Sequence, residues 1–207
     1  MRIFAIFLLA ILSQPCLAQL KLKKLDVNDI PKAIHFAGDL VEAVRWTDNT
    51  GDNMVILTLA DNIPGETKSN NDNRSAALYA YHYLITGESN KQTWKVYDYV
   101  EDCPVDMVLS FVDKSFAVTD LNKDGKAEVW IMYKVSCQGD VSPVPMKIIM
   151  YQDNKKFAVR GTTKVRFSEN ETVGGEYVFD EAFKTAPVLF RQYADKLWLA
   201  HKNEITQ

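Results

Sequence analysis

The sequence predicts a mainly β fold: antiparallel strands and hairpins in a single domain, with one C-terminal α-helix. Three observations carry that expectation. Eight short apolar or alternating runs are separated by clusters rich in Gly, Pro, Asn and Asp, the punctuation of antiparallel connections. The runs are rich in Val, Ile, Tyr, Phe and Trp, which suit a pleated, half-buried surface. Helical spacing is clear only near the end of the chain, so the alternating helices that would build a parallel sheet are missing.

Taken in order, residues 1–18 read as an export signal rather than as structure. Arg2 supplies a positive start, Ile3 to Leu12 are apolar without a break, and Pro15 precedes the small-residue site ending at Ala18. Ten apolar residues fall short of the about 20 needed to span a bilayer. Residues 19–207 then form the mature domain, which contains no transmembrane segment. Strands are expected at Leu40–Trp46, Asn53–Leu59, Ala76–Ile85, Trp94–Val100, Phe116–Thr119, Glu128–Ser136, Met146–Tyr151 and Phe157–Thr163. The polar stretch from Pro64 to Asn73 reads as a loop, and Asp48 with Asp52 and Asn53 around Gly51 as a hairpin turn. In the run from Glu128, Val129, Ile131, Tyr133 and Val135 share a core face. Trp130 and Met132 on the other face imply that it too is covered. Val188, Leu189, Tyr193, Leu197 and Ala200 recur at helical spacing after Thr185 and Pro187, which predicts a helix over about 186–202.

Composition narrows function by exclusion. The 207 residues carry 24 basic and 27 acidic side chains, a net charge of −3, so the chain is not built to neutralise nucleic-acid phosphates. Cys103 and Cys137 remain after signal removal, and an even count in an exported chain predicts a disulfide between them. No nucleophile elbow, HExxH, phosphate loop or dinucleotide fingerprint is present, so no catalytic residue is assigned. His82 inside a Tyr-rich strand reads as structural. Trp46, Trp94, Trp130 and Trp198 suit a core better than a sugar-stacking platform.

One segment carries chemistry. Asp120, Asn122, Asp124, Gly125 and Glu128 fit DxNxDGxxE, which places oxygen donors at alternate positions of a tight loop. Calcium takes six to eight such oxygens. Asp120, Asn122 and Asp124 would give side-chain oxygens, Lys126 its backbone carbonyl with the side chain in water, and Glu128 a direct or water-mediated ligand. Ile131 stands where an EF-hand has its bidentate Glu, and both flanks read as strands, so this is not an EF-hand. The same residues also suit a polar turn with no ion, and both readings stay open here. Asp140 is a further acid that could approach the loop.

The loop resembles those of FG-GAP-like extracellular β modules. Residues 119–134, the stretch Cys137-Gln138-Gly139-Asp140-Val141-Ser142-Pro143, and residues 146–161 together resemble a group of small exported Bacteroidota proteins labelled surface polysaccharide (lipopolysaccharide) biosynthesis. The resemblance implies a role in the cell envelope and brings no catalytic residues. The expectation is a periplasmic, secreted or cell-surface protein stabilised by calcium, non-enzymatic, with surface glycan or envelope assembly proteins as partners. The rival is a carbohydrate-binding module or glycan-active hydrolase in the periplasm.

Overall fold

The computed structural model describes residues 20–63, 72–87 and 89–203. The export signal expected at 1–18 lies outside them, as do residues 64–71 of the polar loop. The elements run β1 (Lys23–Lys24), β2 (Asp39–Asp48), β3 (Gly51–Ala60), β4 (Arg74–Thr86), β5 (Ser89–Cys103), β6 (Met107–Phe111), β7 (Ala117–Thr119), β8 (Glu128–Cys137), β9 (Pro145–Gln152), β10 (Lys155–Thr162), β11 (Lys164–Arg166), β12 (Thr172–Gly174), β13 (Tyr177–Phe179) and α1 (Val188–His201). All paired strands are antiparallel. The first sheet has the order β1-β2-β3-β4-β5. The second has the order β13-β10-β9-β8-β6, with β7 also on β8.

Period-two alternation sends each strand's side chains to two different layers. Val44, Val55, Leu57, Leu78 and Val96 of the first sheet meet Val129, Ile131, Ile149 and Ala158 of the second, forming the core between the sheets. The outer face of the first sheet (Met54, Ile56, Tyr79, Tyr81) is covered by Leu25, Ile30 and Ile34 of the N-terminal segment. The outer face of the second sheet buries Trp130, Met132, Ile148 and Met150 under Phe190, Ala194, Leu197 and Trp198 of α1. The cover expected over Trp130 and Met132 is therefore the C-terminal helix. All four Trp are buried, so no Trp forms an exposed platform.

Each of the eight expected strands is present, extended by one to five residues at most ends. The helix begins two residues later than expected because a 3-10 turn, Glu181–Thr185, capped by the Asp180 side chain, precedes it. Cys103, at the end of β5, bonds to Cys137, at the end of β8, so the disulfide ties the two sheets together. Among the described residues no helix is long and apolar enough to cross a membrane.

Candidate metal centre

Strands β7 and β8 pair with Thr119 opposite Glu128, so the chain reverses within residues 120–127. The reversal is built by its own side chains. Asp120 Oδ2 accepts from Gly125 N–H at 3.1 Å, Asn122 Oδ1 from Asp124 N–H at 3.3 Å, and Asp124 Oδ1 from Lys126 N–H at 2.8 Å. Such local acceptors offer the backbone an alternative to sheet pairing. Gly125 has φ +78°, a left-handed conformation that favours glycine. A Cβ at that position would lie 2.0 Å from Asn49 Nδ2.

The oxygens left over are unevenly satisfied. Asp120 Oδ1 is buried without any hydrogen-bond partner. Asp124 Oδ2 accepts from Asn122 Nδ2 at 2.8 Å and from Gln152 Nε2 at 3.0 Å. The same Gln152 nitrogen reaches Glu128 Oε1 at 3.5 Å, so Asp124 and Glu128 face a common point. Glu128 is fully buried, with Oε2 accepting from Thr119 Oγ1 and Leu121 N–H at 2.7 and 2.9 Å. Burial pushes its carboxyl up to about 7, against those two hydrogen bonds, and the nearby Asp120 and Asp124 add to the rise. Three acids and one amide thus share a small, partly desolvated region.

Two sequence expectations change here. The Lys126 side chain does not simply extend into water but pairs with Asp153 Oδ2 at 2.7 Å, because the β9–β10 turn lies beside the loop. Asp140 does not approach. It follows Cys137, and the far end of the ten-residue strand β8 lies about 30 Å from Glu128 at the usual rise of a strand. Among the described residues no three His, Cys, Asp or Glu side chains converge closely enough to hold an ion unaided. A cation would need the Asn122 amide and carbonyl oxygens as well, the hard-donor mix that calcium accepts. The orphaned Asp120 oxygen fits that donor set.

Other loops complete this end of the sandwich, and sequence reading did not connect them to it. The β2–β3 turn is the hairpin expected at Gly51. Asp48 organises it: Oδ1 accepts from Thr50 N–H, Thr50 Oγ1 and Asn53 Nδ2, and Oδ2 from Trp46 Nε1 and Ala127 N–H. Burial works to raise the Asp48 carboxyl, but the hydrogen bonds outweigh it and hold the group below the ordinary carboxylate range. Beside it lies a small cleft of about 20 Å³, room for about one water, lined by Asp48, Thr50, Asp153 and the rings of Trp46, His82, Trp94 and Tyr151. Trp94 stacks on Tyr151 at 4.3 Å and on His82 at 5.1 Å. With its oxygens committed to five donors, Asp48 is poorly placed to shuttle protons.

His82 is a packed ring, its Nδ1 2.5 Å from Thr93 Oγ1. Burial lowers its pKa from 6.5 to about 4, with Asp48 pulling weakly the other way. The folded state therefore binds fewer protons than the unfolded chain between these values, and stability falls as pH drops from 6.5 towards 4. The full loss is about 3 kcal/mol, reached below pH 4. Urea denaturation of wild type and His82→Gln across pH 3.5–7.5 checks this, and the variant should show a flatter profile. Parallel profiles would assign the acid sensitivity to other groups.

The chain matches no family model, and it matches neither a curated protein nor a solved structure.

Proposed function

We propose that this chain is an exported, non-enzymatic β protein of the cell envelope, stabilised by calcium in the β7–β8 loop and supporting surface polysaccharide biosynthesis. The observation that carries the calcium reading is the buried, unpartnered Oδ1 of Asp120 beside Asp124 and Glu128. A buried carboxylate oxygen without a partner is costly, and a divalent ion would offset that cost. Asp120, Asn122, Asp124 and Glu128 would hold the ion through side-chain oxygens and Lys126 through its carbonyl. When bound, the ion supplies positive charge that keeps the loop closed and all three acids ionised. The Cys103–Cys137 bridge supports residence in an oxidising compartment. The envelope role rests on the sequence resemblance alone.

The test is thermal melting of the disulfide-bonded protein in chelator and in 10 mM calcium. For an extracellular-type affinity of 10⁻⁴–10⁻³ M, calcium should raise the melting temperature by roughly 5 °C. Asp120→Ala with Asp124→Ala should remove the rise, and Glu128→Gln should remove most of it while preserving the fold in chelator. Superimposable wild-type curves would sink the reading.

A further inference from the structure

The loop that carries the acids belongs to the second sheet, yet the first sheet holds it in shape. The β2–β3 turn lies against three residues of the reversal. Asn49 N–H donates to Gly125 O at 2.8 Å, Asn49 Nδ2 donates to Asp124 O at 3.2 Å, and Ala127 N–H donates to Asp48 Oδ2 at 3.0 Å. Gly125 has no Cβ, and the Asn49 amide occupies the space a Cβ would need. Asp48 is in turn fixed by Thr50, Asn53 and Trp46. The β2–β3 turn thus presents two donors and one acceptor in a rigid frame. Those groups meet the backbone between Asp124 and Glu128, the stretch that includes the carbonyl assigned to Lys126.

We infer that Asn49, seated by Asp48, is a positioning residue for the cation loop, and that ion binding is linked to docking of the first sheet on the second. The inference rests on the calcium reading and deepens it. A metal loop closed only by its own side chains must be ordered by the ion, at a cost in affinity. A loop already held by a neighbouring turn binds without that cost. Linkage is reciprocal: whatever the turn adds to ion affinity, the ion returns as tighter turn docking. Asn49 is the informative position because it is uncharged, so replacing it removes a contact without altering the charge around the ion.

The experiment titrates terbium, a luminescent hard trivalent cation, into the full disulfide-bonded chain, with calcium as competitor and melting in chelator measured alongside. Asn49→Ala should weaken terbium and calcium binding about fivefold, the worth of one hydrogen bond. Its melting temperature in chelator should fall by only a few degrees, the cost of the same bond in the ion-free fold. In wild type, calcium should slow hydrogen exchange at the Asn49 amide, a reading that needs no variant. No terbium or calcium binding by wild type would overturn the calcium reading itself. Binding in wild type with equal affinity in Asn49→Ala, or with Asn49 exchange unaffected by calcium, would overturn this inference alone.

Discussion

Trp198→Ala should destabilise the fold by about 3–5 kcal/mol, lowering the melting temperature by on the order of 10 °C. Trp198 is fully buried in the contact between α1 and the second sheet. Its ring lies 5.0 Å from that of Tyr177, and its Nε1–H donates to the Gly175 carbonyl at 3.2 Å. Truncation would leave a cavity and an unpaired buried carbonyl together, so the upper half of the range is the better expectation. The sheet cannot readily fill the gap. A Cβ at Gly161 of β10 would lie 2.8 Å from Trp198 Cζ2 but only 2.0 Å from the Glu176 carbonyl oxygen, so a larger residue at 161 collides with backbone. Urea denaturation monitored by far-UV circular dichroism measures the loss. A cost under 1 kcal/mol would mean that α1 does not close the second sheet as described.

Removal of the Cys103–Cys137 bridge ranks next. The two cysteines are 34 residues apart, and in the chain-entropy model a loop of that size corresponds to about 4 kcal/mol of stability. Both residues end long strands, β5 in one sheet and β8 in the other. The bond therefore restrains the intersheet packing in the native state as well as the unfolded chain. Cys103→Ala with Cys137→Ala should lower the denaturation midpoint, and wild type under strong reductant should fall to the same value. Equal midpoints for oxidised and reduced wild type would show that the bridge adds nothing to the packing around it.

What could be read from sequence, and what could not, follows from how far each signal reaches along the chain. Strand β8 alternates between two buried layers, and that pattern is local. Strand β6, Met107–Phe111, carries no such pattern because every residue in it is half-buried, which erases the alternation. The three-residue strands β11, β12 and β13 are too short to carry a pattern at all. At the candidate site, the spacing of Asp120, Asn122, Asp124 and Glu128 is a local signal. Asn49, Asp48, Gln152 and Asp153 belong to the β2–β3 and β9–β10 hairpins, whose turns are visible in the sequence but not as neighbours of the loop. The Lys126–Asp153 pair and the remoteness of Asp140 are long-range facts of the same kind.

By itself, then, the order of residues determined the antiparallel strands, the closing helix and a hairpin of oxygen donors, because each depends on spacing within some ten positions. Only tertiary structure decided that α1 roofs Trp130, that the bridge joins two sheets, and that Asn49 meets Gly125. Those outcomes depend on which apolar faces bury one another and on which turns are thereby brought to the same end of the sandwich. No run of neighbouring residues encodes that choice, since it is settled by the packing of the whole domain.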